Sequence, residues 1–367
     1  MRFNTMHTSS LIFKVVTIIL SHNMFKAKTI VLLIIISILI PFNTDARECI
    51  KWSQLMQTHE INQPAKGKLI LVQQFVNYTK RPEDEWLTSG ITELISSMLK
   101  AQNDATILSG NTLNYLPKTS KPDFIITGMF QSQNNVLRIF TKVLNAGDQK
   151  LLYQFTTIAP YPQTRDLFTN LANTTQDICN KLKLNLNKDL LQKTQNTTDS
   201  VPAYEAYIKG LLALHKYDVN DAEVARIWFE QSISADHRFA LAYQGLIDLY
   251  SFLGFYYKQQ HKPFGTYYQK AEQLIQKMNK MTLNKENGSN NRFLLGHAAF
   301  TQALIDADAG KFNEASVALN KSVELVPEDA IAWYELSRVS DQLGNKQQSS
   351  EALQKAHEIN TCLGEQK

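Results

Sequence analysis

The sequence predicts an α+β domain followed by an all-α array of paired helices. Between residues 47 and 192, short β-branched runs alternate with two amphipathic helices in the order β-α-β-β-β-β-α, which indicates a mixed sheet with helices on one face. After residue 202 one helix pattern follows another, and the segment that starts at Ala309 recurs 34 positions later. The positions identical at that offset are Gly310/Gly344, Ser316/Ser350, Ala318/Ala352, Leu319/Leu353, Lys321/Lys355 and Glu324/Glu358.

Composition and charge are those of a globular chain without a nucleic-acid surface. The 367 residues are 44% hydrophobic and 20% charged, enough for two domains of ordinary size. The formal net charge is +4, of which residues 1–46 carry +3 (four basic residues and one acidic), so the remainder carries +1. No basic stripe is left to neutralise phosphates, and no nucleic-acid partner is expected.

The N-terminal 46 residues predict export. Lys26 and Lys28 precede the uncharged, mostly apolar run from Thr29 to Thr44, and Ala46 ends a small-residue cleavage pattern. This layout is typical of a secretory signal, although an uncleaved membrane anchor has nearly the same length. In both cases the positive end stays inside and everything after residue 46 is exported, which places the protein in the periplasm or on the inner membrane by a single N-terminal helix. We also expect Met24 to be the working start.

Three cysteines are spaced too widely for a CxxC redox or zinc motif. In an oxidising compartment Cys49 could form a disulfide with Cys179, which would tie the start of the exported part to the end of its first domain. The alternative is that these two residues and Cys362 are three unrelated thiols.

The first domain, residues 47–192, divides into seven predicted elements. A strand over 68–78 precedes a helix over 82–102, whose acidic first turn complements the helix dipole. A short strand over 104–110 is followed by three strands between 123 and 159, joined at turn sequences, and a helix over 164–186 closes the domain. The polar segment 193–201 is predicted to be a linker.

The order of these elements and several motifs resemble the TolB-type amino-terminal domain, which also occurs in FlgO-like proteins and in the exported part of CadC/ToxR-type regulators. The residues that carry the resemblance are Phe75, Asn77, Glu85, Gly90-Ile91-Thr92-Glu93-Leu94, Gly128, Leu137-Arg138-Ile139 and Asn145-Ala146-Gly147. The sequence departs from the pattern at Gln74, where proline is usual, and at Tyr153, where tryptophan is common. The resemblance covers about residues 68–182 and implies a fold rather than an activity.

The second region, residues 202–361, resembles tetratricopeptide repeats, whose period is also 34 residues. The residues that match the packing positions of that family are Trp333, Leu336, Gly344, Leu353 and Ala356, then Ala303, Gly310, Ala315, Leu319 and Pro327, and further upstream Gly210, Ala225 and Phe229. The resemblance implies about four helix pairs, each of which buries its apolar face by stacking on the next pair. The alternative is a generic helical bundle.

No sequence motif predicts chemistry. The eight histidines include no pair at metal-ligand spacing, and neither a phosphate-binding glycine loop nor a nucleophile elbow is present. The acidic cluster Glu83, Asp84 and Glu85 fits a helix N-terminus better than a paired acid/base site. We therefore expect no catalytic, cofactor-binding or metal-binding residues, and no enzymatic activity.

The repeats predict a curved groove lined by the first helix of each pair. The partner-binding candidates in that frame are Tyr207, Leu211, Gln244, Asp248, Phe300, Leu304, Tyr334 and Arg338. Tyr334 and Arg338 occupy places where some tetratricopeptide proteins carry a clamp for acidic C-termini, so a receptor for such tails is not expected.

The sequence thus predicts an exported, non-catalytic bacterial envelope protein that binds a protein or peptide partner in its helical-repeat groove. An alternative is a periplasmic sensory module related to CadC/ToxR-type regulators, in a chain without their winged helix. A third possibility, an accessory region of a nucleotide cyclase, likewise lacks catalytic sequence.

Overall fold

The computed structural model describes residues 67–100, 105–109, 121–161, 166–184, 198–216, 218–283, 290–327 and 329–359. All of them belong to one compact unit, Trp52–Lys367. No helix within these ranges is both long enough and apolar enough to cross a membrane. The predicted leader, residues 1–46, lies outside the described residues, and so does Cys49 of the predicted disulfide. Its predicted partner Cys179 is fully buried.

The N-terminal part of the described chain is a mixed sheet with two long helices. Its strands are β1 (Lys68–Val72), β2 (Val76–Asn77), β3 (Ala105–Ser109), β4 (Phe124–Gln133), β5 (Val136–Asn145) and β6 (Leu151–Pro160). A short 3₁₀ turn (Pro82–Asp84) precedes α1 (Trp86–Lys100), and α2 (Asp166–Leu182) follows the last strand. The strand predicted over 68–78 is therefore two strands.

The sheet has the order β3-β1-β4-β5-β6, and β2 extends it beside β4. β1 runs parallel to β3 and to β4. The helix α1 carries the chain back from the end of β1 to the start of β3, which is the crossover that a parallel pair requires. β4, β5 and β6 form an antiparallel meander, as the turn sequences predict. Asn134 and Asn135 in the first of these turns both have positive φ, which asparagine tolerates.

The two faces of β1 pack into different clusters. Ile70 and Val72 point into the main core with α1 and α2, which contact each other and so lie on the same face of the sheet. Leu69 and Leu71 point the other way and form a smaller buried cluster with Leu108 and Ile125. Both faces of a central parallel strand are therefore buried, which explains why its sequence is continuously apolar.

The acidic turn before α1 ties the first helix to the end of β6. Asp84 is fully buried, accepts a hydrogen bond of 2.8 Å from the Tyr161 hydroxyl and lies 3.4 Å from the Arg81 guanidinium. Burial, together with the hydrogen bond to Asp84, raises the pKa of Tyr161. The buried carboxylate is thus compensated by a hydroxyl donor and a nearby guanidinium.

The C-terminal part is a helical-repeat region of four helix pairs. The pairs are α3 (Val201–Leu214) with α4 (Val219–Ala235), α5 (Ala240–Gln259) with α6 (Gly265–Leu283), α7 (Asn290–Asp308) with α8 (Phe312–Leu325), and α9 (Ala330–Gln342) with α10 (Lys346–Ile359). Gly310 and Gly344, 34 residues apart, both have positive φ in the turns between paired helices, which explains why glycine recurs there.

Close helix approach in the first two pairs depends on glycine. The Phe229 ring of α4 is fully buried against Gly210 of α3 and Gly245 of α5. A Cβ atom would lie 2.6 Å from the Phe229 ring at Gly210 and 2.3 Å from it at Gly245, closer than van der Waals contact permits. The ring therefore fills the layer between consecutive pairs, as the repeat pattern predicts.

One hydrophobic cluster runs from the sheet into the repeats without interruption. Tyr204 of α3 is 3% exposed, its ring packs edge-on against Trp86 of α1 and Phe168 of α2, and its hydroxyl donates a 3.1 Å hydrogen bond to the Gly90 carbonyl. The two predicted domains thus share a core at this junction. Ser200, within the segment predicted as a linker, caps α3 by accepting from the Ala203 amide.

Candidate partner-binding groove

The candidate site is the inner face of the helical-repeat region, hereafter the groove. The first helices of successive pairs touch, α3 with α5 and α5 with α7, whereas contacts between successive second helices are sparser. A stack whose first helices lie closer together curves towards them, which puts α3, α5 and α7 on the concave side. The predicted groove positions lie on the first helices of the pairs.

Five of the eight predicted groove residues keep accessible surface. They are Leu211, Asp248, Leu304, Tyr334 and Arg338, all partly exposed. Tyr207 and Gln244 are each 7% exposed and lie beneath them. Tyr207 packs its ring against Phe229 and Phe239, so it supports the groove wall from behind.

The structure corrects the prediction for Phe300. Its side chain is fully buried in the core of the last two pairs instead of facing the groove. Ala303, Ala315 and Ala332 belong to the same buried cluster. Because burial of a phenylalanine is worth roughly 1.5–3 kcal/mol, this position contributes to packing and has no surface to offer a partner.

A polar cluster crosses the groove floor between α5 and α7. Asp248 Oδ1 accepts a 2.8 Å hydrogen bond from Gln244 Nε2 and lies 2.9 Å from His297 Nε2. The Asp248 and His297 side chains retain 16% and 18% of their exposure, so both reach the groove surface. Contacts within the molecule orient this carboxylate and imidazole before any partner arrives.

His297 is the groove residue that the predicted set lacks. When each repeat is counted from the position equivalent to Ala330, Ile331 is the second residue, and His297, 34 residues earlier, is the second residue of its own repeat. Asp248 is the ninth residue of the preceding repeat, and the two side chains meet. The repeat frame could have found it, but pairing across repeats depends on how closely α5 and α7 pack, which the period does not specify.

An ion pair on one helix face holds Arg338 at the C-terminal end of the groove. Arg338 lies 3.1 Å from Glu335, three residues earlier on α9, and Glu335 is 8% exposed. An arginine held by a nearly buried carboxylate loses less side-chain freedom on binding than a free one. Tyr334, on the same helix, is partly exposed.

Two further aspartates lie at the C-terminal end of α7. Asp308 contacts Lys258 at 2.5 Å and accepts from the Tyr268 hydroxyl at 2.6 Å, which fastens the long second pair to the third. Burial and this hydrogen bond raise the pKa of Tyr268. Asp306 is 7% exposed, and burial raises its pKa above the usual range. The contacts of Asp308 therefore join α5 and α6 to α7.

A small cleft extends the groove towards the sheet. It opens at the carboxyl ends of β1 and β3 and has a volume of about 40 Å³. Its lining residues are Gln74, Ser89, Thr92, Glu93, Ser109, Ile208, Leu211, Leu212 and His215. The space would hold a few water molecules but not an organic cofactor, whose sites span ~300–1,000 Å³. Within the described part of the chain, no group of His, Cys, Asp and Glu side chains is placed to hold a metal ion.

No protein-family model and no curated protein matches the sequence. Among solved structures, a PelC dodecamer from Paraburkholderia phytofirmans aligns with 12% identity over 34% of this chain and 94% of that chain, with a TM-score of 0.25. A double mutant of MamA aligns with 13% identity over 55% of this chain and 97% of that chain (TM-score 0.31), and the Chs5-Chs6 exomer cargo adaptor complex with 12% identity over 62% and 41% (TM-score 0.32). Similarity at this level establishes no family and no function, and the resemblance to TolB-type domains stays a prediction.

Proposed function

We propose that this protein is a non-catalytic scaffold that binds a protein or peptide partner in the groove of its helical repeats. The observation that carries the proposal is the set of groove side chains that are accessible yet fixed by neighbours. Asp248 is fixed by Gln244 and His297, and Arg338 is fixed by Glu335. Preorganised groups bind with less loss of conformational entropy, and arginine and tyrosine are frequent interface anchors.

The groove combines apolar and polar contacts along its length. Leu211 and Leu304 offer apolar surface on α3 and α7, while Asp248 and Arg338 offer charges of opposite sign on α5 and α9. A peptide or helix with an apolar stripe, a basic group towards Asp248 and an acidic group towards Arg338 would complement this arrangement.

Site-specific photocrosslinking in living cells tests the proposal. A photoreactive amino acid at Leu304 or Tyr334 should capture a discrete partner, whereas the same amino acid at Val317 should not. Val317 is the matched control because it is 73% exposed on α8, a second helix away from the groove. Identical crosslinks from all three positions, or none from the groove, would contradict the proposal.

Affinity for the captured partner provides the quantitative test. Leu304→Arg or Tyr334→Ala should weaken binding about 30-fold or more if these residues are anchors worth ~2 kcal/mol, and Val317→Arg should leave it unchanged. Phe300→Ala is unsuitable as a binding variant because it would disrupt the core. Equal affinity of the wild type and both groove variants for the partner would show that the partner does not bind in the groove.

We further propose that binding takes place in the cell envelope. This part rests on the sequence of residues 24–46, which lie outside the described structure. Protease added to intact spheroplasts should digest residues 67–359 if the proposal is correct. Protection of these residues until the inner membrane is lysed would refute export without bearing on the groove.

A further inference from the structure

The outer edge of the sheet is unusual for a monomer. β6 is ten residues long, contains no charged residue and has proline only at its last position. The residues of β6 with exposed side chains are Leu151, Leu152, Gln154, Thr156, Ile158 and Pro160. Natural proteins normally block long edge strands with lysine, internal proline or a covering segment, because an unprotected edge pairs with other strands.

The backbone groups that face outward follow from the register with β5. Tyr161 donates its amide to the Asn135 carbonyl at 2.9 Å, so this opposed pair is a hydrogen-bonded one. Hydrogen-bonded and non-hydrogen-bonded pairs alternate along an antiparallel ladder. Gln154, Thr156 and Ile158 consequently direct their N–H and C=O groups away from β5.

These outward groups meet no further strand among the described residues. β6 is the last strand of the sheet, and the Ile158 carbonyl accepts a 2.7 Å hydrogen bond from Asn170 Nδ2 of α2. A carbonyl oxygen has two lone pairs, so Ile158 can still accept another N–H. The register irregularity at Val143/Leu144 limits the regular part of the edge to about residues 153–160.

We propose that β6 is a self-association surface, on which two copies of this chain pair antiparallel through a two-fold axis at Thr156. In that register Thr156 lies opposite Thr156 of the second copy, and Gln154 lies opposite Ile158 of the second copy. The outward N–H and C=O groups of all three residues in both copies therefore take part in the pairing. Self-pairing suits a strand without charges, since no like charges are brought together, and opposed threonines are a favourable cross-strand pair. The opposite sheet edge, β3, is buried throughout, so pairing of β6 with β3 of another copy is disfavoured.

The surface is distinct from the groove, and the proposal does not depend on the proposed function. A single pair of edge strands buries less than the ~1,200–2,000 Å² of stable interfaces, so association is expected to be weak and reversible. Sedimentation velocity of the full-length protein up to about 0.5 mM should reveal a monomer–dimer equilibrium, because an interface with micromolar affinity is saturated there.

Two substitutions at one exposed position test the pairing. Thr156→Pro removes one outward N–H from each copy and should weaken the dimer about tenfold or more, while an outward-facing edge position tolerates proline. Thr156→Lys opposes two like charges and should also abolish the dimer without altering the backbone. Val317→Lys is the control and should leave the equilibrium unchanged, since Val317 is 73% exposed on α8, outside the sheet.

Cysteine crosslinking tests the register. In a background with Cys49→Ser and Cys362→Ser, Thr156→Cys should form an intermolecular disulfide, because opposed residues in a hydrogen-bonded pair are ~5.5 Å apart at Cα. Val317→Cys should not. A monomer at every concentration, a dimer that persists in folded Thr156→Pro and Thr156→Lys proteins, or equal crosslinking at both cysteine positions would each overturn the proposal.

Discussion

Tyr204 connects the sheet to the first helical repeat, and its removal should destabilise both. Its ring lies 6.3 Å from Trp86, 5.4 Å from Phe168 and 6.3 Å from Phe239, measured between centroids. The first two belong to the sheet part and Phe239 to the repeats. Burial holds the pKa of Tyr204 well above its usual range, so the hydroxyl is a permanent donor to the Gly90 carbonyl.

The size of the effect follows from what each substitution removes. Tyr204→Phe deletes only the hydroxyl and its 3.1 Å hydrogen bond, which should cost about 0.5–1.5 kcal/mol of unfolding free energy. Tyr204→Ala also deletes a fully buried ring and should cost about 3–5 kcal/mol, the range measured when large aromatic residues in cores are truncated. Against a total stability of about 5–15 kcal/mol, the second change is severe.

Urea unfolding with two probes measures this coupling. A version whose only tryptophan is Trp86 reports on the sheet part by fluorescence, and far-UV circular dichroism reports mainly on the repeats. Tyr204→Ala should lower both transition midpoints, each by about 1 M urea or more, given slopes of ~1–3 kcal/mol/M. Tyr204→Phe should lower both by a fraction of that amount.

The reasoning fails if Tyr204→Ala lowers the circular dichroism midpoint but leaves the Trp86 midpoint unchanged. The sheet and the repeats would then unfold independently, and the continuous core would contribute nothing across the junction. Tyr78→Phe is the matched control, since this tyrosine is 58% exposed and surface substitutions usually change stability by less than ~0.5 kcal/mol.

Three further predictions concern the repeats. Gly245→Ala should destabilise the protein by about 1–3 kcal/mol, because the new methyl would lie 2.3 Å from the Phe229 ring; a thermal midpoint equal to wild type would show that the ring can move aside. Asp329 caps α9 by accepting from the Ile331 and Ala332 amides, both at 3.0 Å, so Asp329→Ala should cost about 0.5–2 kcal/mol in urea unfolding, and Asp329→Asn much less. Burial raises the pKa of Asp306 in the folded state, so the folded protein binds this proton more tightly than the unfolded chain does, and the stabilisation is lost as pH rises through the folded pKa. Asp306→Asn should therefore lose less stability than wild type when pH is raised above about 4, the ordinary pKa of aspartate, and a larger loss in the variant would contradict the sign.

The element order of both parts could be predicted from the sequence. Short apolar and β-branched runs predicted the strands, and the 34-residue period predicted the helix pairs. The split of the first strand into β1 and β2 was not predictable from the apolar run. The predicted strand includes Gln73 and Gln74, but β1 ends at Val72 and β2 begins only at Val76, after the fully buried Phe75.

The candidate site was predictable at the level of helix faces but not of individual side chains. The repeat frame placed Leu304 and Phe300 on one predicted face, yet only Leu304 reaches the surface. Phe300 instead packs in the buried cluster that the last two helix pairs share. A pattern within one helix does not show which neighbouring residues cover it.

Periodicity and turn chemistry alone therefore determined the order of strands and helices and how the helices pair. Tertiary structure decided where the core is continuous, as at Tyr204, which side chains meet across repeats, as Asp248 and His297 do, and which strand ends the described sheet, as β6 does. The physical reason is that a local sequence pattern determines which face of a helix or strand is apolar. Which other segment covers that face is determined only in the folded protein, where distant segments compete to pack against it.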